Sequence, residues 1–273
     1  AIADVAERYN ATIKVTGADR IGLYALHKKD LRNVWQQLQM GCGHAFSKSF
    51  RACKACVGST YCRFGLKDSL ELGRRMGERY RGMSGPAKMK MGVSGCPRNC
   101  SEATIKDCGV IGVEGGWDIY IGGNGGARVS VAQKIAHETD DENVIRLADR
   151  FYEYYRRYAR YGERSATFIE RVGLRTVVDA ILNAPPEALN ELEKRFQQAL
   201  DNYRDPWLAE EDLNNEGDQV EPMISDGFID LAPVADIPPG CSRLYMVDDR
   251  PVALFHGRDD SWVAAYGICP HEK

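Results

Sequence analysis

Apolar residues recur with helical spacing in five segments of the chain, and they alternate or run together in four shorter ones. The first pattern is typical of amphipathic helices, and the second is typical of strands. Helices are predicted at residues 2–9, 29–38, 143–159, 165–182 and 187–203. Strands are predicted at residues 12–16, 20–25, 105–113 and 117–121. This mixture of elements predicts an α+β fold.

The pattern changes near the end of the chain. Residues 210–221 hold six carboxylates and little apolar content, which predicts an exposed linker. Short β patterns follow at residues 228–231, 242–247, 251–256 and 262–266, and turns rich in Pro, Gly and Asp separate them. A small all-β region is therefore predicted at the carboxyl end.

Composition narrows the class of protein. The chain has 273 residues, 44% of them hydrophobic, with a formal net charge of −3 and a pI near 6.0. These values suit packed cores and give no basic footprint for nucleic acid. No apolar run is long enough for a membrane span, and the first residues lack the features of a secretory signal. We predict a soluble cytoplasmic protein that binds neither nucleic acid nor membrane.

Four of the nine cysteines form two pairs with the spacings C-x5-C and C-x3-C. The pairs are Cys56 with Cys62 and Cys96 with Cys100. Four thiolates can hold an iron-sulfur cubane, but spacing alone also allows a structural zinc, with Cys53-x2-Cys56 as one half, or inert buried thiols. A disulfide framework is disfavoured, because the cysteine count is odd and the chain is long and charged.

The residues around these pairs resemble the sirohaem and iron-sulfur domain of assimilatory nitrite reductases. The segments that carry the resemblance are ACVGSTYCRFG at 55–65, KMKMGVSGCPRNC at 88–100, GGWDIYIGGNGG at 115–126 and VTGADRI at 15–21. The similarity is closest to the large subunit of the pyridine-nucleotide-dependent enzymes and covers roughly residues 1–185.

The resemblance implies the domain organisation. Residues 1–45 are expected to form a ferredoxin-like half-domain that lacks its first strand, and residues 46–185 the sirohaem and 4Fe-4S domain. Residues 186–225 would be a helix and the acidic linker. Residues 226–273 resemble the N-terminal part of a Rieske-type domain, similar to the small subunit of the same enzymes.

The resemblance also implies the cofactors and the reaction. The four paired cysteines would hold the 4Fe-4S cluster, and the sulfur of Cys100 would also be the axial ligand of the sirohaem iron. The implied reaction is the six-electron reduction of nitrite to ammonium. Sulfite reduction with the same cofactors is the nearer alternative, and a non-catalytic, zinc-stabilised interaction module is an alternative of another class.

An anionic substrate and a polycarboxylate cofactor require arginine and lysine side chains. Arg20, Lys88 and Lys90 are the predicted catalytic residues, since Arg20 follows a Thr-Gly pair as the family's anion-site arginine does. Lys88 and Lys90 alternate as on a strand, which places them on one face. Any one of these side chains could equally be a solvated surface charge. The predicted cofactor-binding residues are Arg51, Arg63, Arg98, Asn99, Gly123 and Asn124.

The glycine-rich residues 122–126 lack the G-x-G-x-x-G pattern of a nucleotide loop and lead into an alternating segment. A tight turn is the simplest interpretation. The resemblance adds that such a backbone can approach the cofactor closely, because no Cβ intervenes.

Two features predict that the chain works within a larger enzyme. Cys269 and His271 match half of a Rieske ligand set, but a 2Fe-2S Rieske centre needs two Cys and two His, so these residues are expected to be unligated here. The flavin and nicotinamide half of the family is not found in these residues. We therefore expect an internal fragment that receives electrons from a domain binding FAD and NAD(P)H, with a homodimer as one way to complete the pocket.

Overall fold

The computed structural model describes residues 1–41, 43, 48–204, 237–247, 250–257 and 262–266. The chain divides into two compact units, residues 1–213 and 214–273. Among the helices of the described residues, none combines the length and apolar character that crossing a membrane requires. The predicted strand at 228–231 and the acidic linker lie outside the described residues.

The first unit begins with the four elements that the sequence predicts. Helix α1 covers Ile2–Arg8, strands β1 and β2 cover Thr12–Val15 and Ile21–Tyr24, and helix α2 covers Leu31–Leu38. The two strands pair antiparallel. The two helices share a small core built on three buried side chains, Val5, Val34 and Leu38.

A five-stranded sheet forms the centre of this unit. Its strands are β3 (Phe50–Ala55), β4 (Met89–Ser94), β5 (Cys108–Val113), β6 (Gly116–Ile121) and β9 (Gln133–Glu138), in the order β3-β4-β5-β6-β9. Strands β3, β4 and β5 are parallel, and β6 and β9 are antiparallel to their neighbours. The short strands β7 (Asn124–Gly125) and β8 (Val129–Ser130) pair antiparallel, so the chain reverses at residues 126–128, slightly beyond the turn predicted at 122–126.

A layer of helices packs against this sheet. It contains α4 (Ser69–Arg79), α5 (Asp141–Tyr158) and α8 (Pro186–Asp201), while α3 (Gly58–Tyr61) is a single turn after β3. Tyr80, Tyr152 and Phe196 are fully buried at its centre, and their ring centroids lie 5.5 to 6.1 Å apart. Edge-to-face and tilted aromatic pairs of this kind add to the hydrophobic stabilisation of a core. We call α4, α5 and α8 the helical layer.

The single helix predicted at residues 165–182 is wrong, because the structure divides it. Residues 165–182 form α6 (Ser165–Val172), α7 (Leu174–Val178) and a π-turn at Asp179–Asn183. The break falls at Gly173, which has φ of +90°. A helix cannot pass through that conformation, and glycine is the residue that adopts it without strain. Helix α8 begins at Pro186, where the fixed φ of proline suits a first helical position.

The second unit contains a three-stranded antiparallel sheet. Its strands are β10 (Ser242–Val247), β11 (Arg250–His256) and β12 (Trp262–Tyr266), in that order, which confirms three predicted β patterns. His256 is buried and stacks on Trp262 with ring centroids 4.0 Å apart. Cys269 and His271 lie outside the described residues.

Candidate cluster and anion site

The parallel pairing of β3 and β4 brings the two cysteine segments together. Ala55, the last residue of β3, is paired with Val93 of β4. Because the carboxyl ends of parallel strands lie at the same edge of a sheet, Cys56 and Cys96 emerge side by side. We call this edge, with the segments 56–68 and 95–105, the loop edge.

Backbone contacts fix the two segments against each other. The N–H groups of Leu66 and Lys67 both donate to the carbonyl oxygen of Gly95, at 2.8 and 3.1 Å. Gly58 has φ of +56°, and a Cβ on Gly95 would lie 2.8 Å from the Cα of Gly58. Any larger residue at Gly95 would push the segments apart, so glycine is required for this approach.

The thiol of Cys56 lies in a hydrogen-bonded pocket. The N–H of Gly95 donates to its Sγ at 3.1 Å, and the Oγ of Ser69 lies 3.1 Å from the same atom. Burial raises the pKa of the Cys56 thiol, but the hydrogen bonds from Ser69 and Gly95 outweigh burial and lower it. The thiolate is the metal-binding form of cysteine, so this environment favours a ligand.

The remaining cysteines of the two pairs differ in exposure. Cys62 is half-buried, Cys96 is buried and Cys100 is exposed. Within the described residues, no three His, Cys, Asp or Glu side chains stand close enough to hold a metal ion. The fold therefore joins the segments that carry the four thiols, and a metal would have to draw their side chains together.

Two other cysteines lie inside the protein. Cys53 is on β3 and Cys108 is on β5, and burial raises the pKa of both thiols, to about 12 for Cys108. A buried thiol of raised pKa stays protonated and unreactive. This environment argues against a zinc half-site made by Cys53 with Cys56.

Arg63 and Arg98, one from each cysteine segment, meet over a single aromatic ring. The guanidinium carbons of Arg63 and Arg98 lie 4.6 and 4.0 Å from the centroid of the Phe64 ring. Asn99 has a structural position beside them. Its φ is +55°, its Oδ1 accepts from the N–H of Ala103 at 2.7 Å, and its Nδ2 donates to Thr104 at 2.7 Å. The Asn99 side chain thus shapes the second segment.

A second group of cations lies near the start of β4. Lys88 and Lys90 are exposed on either side of buried Met89, as their alternation predicts. Burial and the guanidiniums of Arg20 and Arg164 lower the pKa of Arg51. Partial burial lowers the pKa of Lys90, and the positive charges of Lys88, Arg164 and Lys106 lower it further. The basic cluster consists of five residues, Arg20, Arg51, Lys88, Lys90 and Arg164.

Parts of the basic cluster are buried without a partner. In the described part of the chain, neither Arg20 Nε nor Arg164 Nε has a hydrogen-bond partner, although both atoms are buried. A buried N–H without an acceptor is destabilising, so an anion that enters here gains hydrogen bonds that the protein itself does not satisfy. The donor chemistry of the cluster fits a substrate oxyanion or a carboxylate-rich cofactor.

The structure separates the predicted basic residues into two groups. Arg51, Lys88 and Lys90 lie near the beginning of β3 and β4, whereas Arg63 and Arg98 belong to the loop edge beyond the end of these strands. The charge of Arg20 acts on Arg51, but its neighbour Asp19 accepts from the N–H of Ala55 at the end of β3. Lys90 and Cys96 are six positions apart, which is at most roughly 20 Å of extended chain. A ligand that contacts both groups must be a large one.

The glycine-rich turn packs against the chain itself. A Cβ on Gly123 would collide with the backbone of Lys106, so the close approach made there is to residues 105–106. Asn124 donates from Nδ2 to the carbonyl of Arg128 at 2.7 Å, and its Oδ1 is buried without a partner among the described residues. This orphaned oxygen is the part of the turn that fits a hydrogen-bond donor.

Sequence reasoning missed Arg164 and its carboxylate partner Asp107. The two residues are 57 positions apart, and Arg164 precedes α6 in a segment with no recognisable motif. Asp107 offered a signal, because it is an acidic residue directly before the apolar run of β5 and is 1% exposed. A charged residue in such a position is buried only when it is paired.

Comparison with known proteins identifies the family. A family described as the nitrite and sulphite reductase 4Fe-4S domain matches residues 46–186. The NAD(P)H nitrite reductase of Bacillus subtilis is 43% identical over 207 residues, 76% of this chain and 26% of that protein. The assimilatory-type sulfite reductase of Nitratidesulfovibrio vulgaris is 33% identical over 183 residues, 67% of this chain and 84% of that protein.

The fold agrees with a solved structure at lower identity. The Mycobacterium tuberculosis NirA protein superposes with a TM-score of 0.57 at 18% identity, covering 65% of this chain and 36% of that one. This chain spans about a quarter of the Bacillus subtilis relative. The matched family covers just over half of the chain and includes all four paired cysteines. The chain therefore belongs to the nitrite and sulphite reductase family, whose matched relatives are named as oxidoreductases.

Proposed function

We propose that this chain binds a 4Fe-4S cluster and sirohaem and reduces nitrite to ammonium as part of a longer NAD(P)H-dependent enzyme. The observation that carries the proposal is the loop edge, where backbone hydrogen bonds join two cysteine segments around a thiol of lowered pKa. The basic cluster supports it, because two buried N–H groups without a partner among the described residues can donate to an anion.

In this proposal the four paired cysteines hold the iron-sulfur cluster. Cys100 is the exposed member of the four, so it is the residue whose thiolate would also hold the sirohaem iron. When bound, the two cofactors supply the electrons and the metal site for the substrate. The protein contributes the thiolates, the shape of the loop edge and the charges around it.

The basic cluster performs the acid and anion chemistry. Arg20 and Lys88 bind the substrate oxyanion, and Lys90 donates protons to its departing oxygens. Partial burial and the neighbouring cations lower the pKa of Lys90, which makes its ammonium group a stronger acid than that of an ordinary lysine and so suits proton donation. Arg51, Arg63 and Arg98 neutralise cofactor carboxylates, while Asn99, Gly123 and Asn124 shape or line the surrounding turns.

Sulfite reduction is the second candidate. One observation favours it: the matched sulfite reductase aligns over 84% of its own length, so the chain contains nearly all of that protein. The same cofactors and a similar basic cluster would serve both anions. The zinc-stabilised module is less well supported, because the buried thiol of Cys53 does not suit a ligand.

The wider setting of the chain completes the proposal. Electrons would come from a flavin domain that binds FAD and NAD(P)H, and a second copy of the chain would complete the pocket of a cytoplasmic homodimer. Residues 226–273 would begin a Rieske-type domain, of which the structure describes three strands. Only Cys269 and His271 match Rieske ligands, so no 2Fe-2S cluster is proposed for these residues.

The test uses the full chain produced with sirohaem and iron supplied. We expect sirohaem absorption bands and about five iron atoms per chain, four from the cubane and one from the haem. Nitrite and sulfite turnover are then compared with a reduced viologen dye in place of the flavin domain. Turnover of nitrite with the larger kcat/KM supports the proposal, larger sulfite turnover favours the second candidate, and a colourless protein loaded with zinc contradicts both.

A further inference from the structure

A buried carboxylate connects two members of the basic cluster. Asp107 accepts from the backbone N–H of Lys90 at 2.8 Å, and its own N–H donates to the carbonyl of Lys90 at 3.0 Å. Its oxygens also accept from Arg164 Nη2 at 2.9 and 3.0 Å and from the hydroxyl of Ser165. One side chain thus holds the beginning of β4 to the beginning of α6.

Only one side of the Arg164 guanidinium is used in this contact. Nη2 binds Asp107, whereas Nε is buried without a hydrogen-bond partner among the described residues. The Arg164 side chain keeps 19% of its surface exposed, so the group is accessible from one direction. The guanidinium therefore has the open donors that a planar oxyanion binds.

The charge of Arg164 reaches both halves of the basic cluster. After burial, the charge of Arg164 contributes to the lowered pKa of both Arg51 and Lys90, so it acts on both residues. The Asp107 carboxylate attracts Lys90, whereas Lys88, Arg164 and Lys106 repel it. Without an added anion, the cluster therefore keeps a local excess of positive charge around Arg164.

We propose that Arg164 is a further anion-binding residue of this cluster, and that Asp107 is the positioning residue that holds Arg164 and Lys90 in register. The inference rests on the proposed function. The ligand chemistry is an anionic oxygen that the guanidinium can bind, which either the substrate oxyanion or a carboxylate of the cofactor supplies. Substrate affinity and cofactor retention distinguish these two sources.

The experiment substitutes Arg164 in the full chain and matches it with an arginine from the helical layer. Arg164→Gln removes the charge, and Arg164→Lys retains it. Arg79→Gln is the control, because Arg79 also pairs with a buried aspartate, Asp149, but lies away from the basic cluster. We expect Arg164→Gln to raise KM for nitrite about tenfold or more, given the strength of charged hydrogen bonds, while kcat changes little. Arg164→Lys should recover part of the affinity, and Arg79→Gln should leave KM unchanged.

Sirohaem content per chain shows which source supplies the anion. A raised KM with unchanged sirohaem content assigns the contact to the substrate, and a lowered sirohaem content assigns it to the cofactor. Either result supports the proposal. If Arg164→Gln alters neither quantity, or alters both no more than Arg79→Gln does, the proposal is wrong.

The role of Asp107 is tested by coupling. Asp107→Asn should change the same quantity in the same direction as Arg164→Gln. The double variant should then change it no more than the larger single variant does, because both remove one interaction. Independent, additive effects would show that Asp107 acts only on stability and would overturn its positioning role.

A measurement without cofactors separates this inference from the proposed function. Sulfate, added to the full chain produced without sirohaem, should raise the melting temperature of the original chain and of Arg79→Gln. It should raise that of Arg164→Gln by a smaller amount. This comparison decides the inference even if the chain never binds sirohaem, in which case only the proposed function fails. Equal sulfate stabilisation of all three proteins would overturn the anion-binding role.

Discussion

Two arginine–aspartate pairs in the first unit, each with a buried aspartate, differ in whether the N–H donors of the arginine are all paired. Arg79 donates to Asp149 through both Nε and Nη2, at 3.0 and 2.6 Å, and Tyr80 donates its hydroxyl to the same carboxylate at 2.8 Å. Arg164 contacts Asp107 through Nη2 alone, and its Nε has no partner within the described residues. One pair is closed by the protein, and the other leaves donors for a ligand.

The charges around the two arginine–aspartate pairs also differ. Asp149 raises the pKa of Arg79, which is the response of a cation that has its anion nearby. Arg164 also has an anion, Asp107, as its neighbour, but its charge still contributes to lowering the pKa of Arg51 and Lys90 after burial. Within the described residues, the Arg79–Asp149 pair is therefore satisfied by neighbouring side chains, whereas Arg20 Nε and Arg164 Nε are left as donors for a ligand.

The largest effect is expected at the loop edge. Cys100→Ser should remove the sirohaem bands and most of the bound iron, because it removes a cluster ligand and the proposed bridge together. Cys53→Ala is the matched control, since Cys53 is half-buried against the core and its raised pKa keeps the thiol protonated. Iron analysis and the visible spectrum measure both. Equal loss of iron in the two variants would contradict this prediction, because it would show that Cys53 contributes to iron binding as much as Cys100 does.

The next effect is expected in the helical layer. Phe196 is fully buried between Tyr80 and Tyr152, so Phe196→Ala should lower the free energy of unfolding by about 3–5 kcal/mol. Tyr158→Ala is the control, because Tyr158 is 50% exposed on α5 and should cost about 1 kcal/mol or less. Urea denaturation of the cofactor-free chain measures the two. Similar losses would mean that the aromatic centre does not dominate the stability of this layer.

Sequence patterns predicted most helices and strands because most of these elements bury one face with the period of the helix or strand, although β1 is exposed at every position. They missed α4 and β9, and they indicated β4 only at Lys88 and Lys90. In β3 only Phe50 is buried and the other five residues are half-buried, so the strand, which includes the polar Arg51 and Lys54, has no alternating pattern to identify it.

The site divides in the same way. Cysteine segments are local and their motifs could be identified from sequence, and the fold then joined them. Arg164 meets Asp107 across 57 residues, through the packing of α6 against the sheet. No local pattern encodes that contact, because it depends on how two separate elements come together.

A smaller effect is expected from the closed pair. Arg79→Gln should leave the buried carboxylate of Asp149 with Tyr80 as its main donor. Breaking a buried pair is strongly destabilising, but Arg79 is 30% exposed, so solvent screening reduces the loss to about 2 kcal/mol. Urea denaturation measures the loss, and nitrite KM should not move. A raised KM in this variant would remove the distinction between the closed and the open pair.

The smallest effect is expected at a third buried aspartate, Asp118 on β6. Its partners are exposed side chains, so it tests whether a pair near the surface contributes less than the Arg79–Asp149 pair does. Lys134 Nζ and His137 Nδ1 lie 2.7 and 2.9 Å from its oxygens. Burial raises the pKa of Asp118, but its contacts with Lys134 and His137 outweigh burial and lower it.

A lowered folded-state pKa contributes stability that is present above the unfolded value of about 3.9 and is lost as pH falls through the folded value. Asp118→Asn should therefore cost about 1 kcal/mol at neutral pH, and the difference from the original chain should shrink below pH of about 4. Urea denaturation at both pH values checks this, and a difference that grows on acidification would show that the carboxylate is destabilising where it lies.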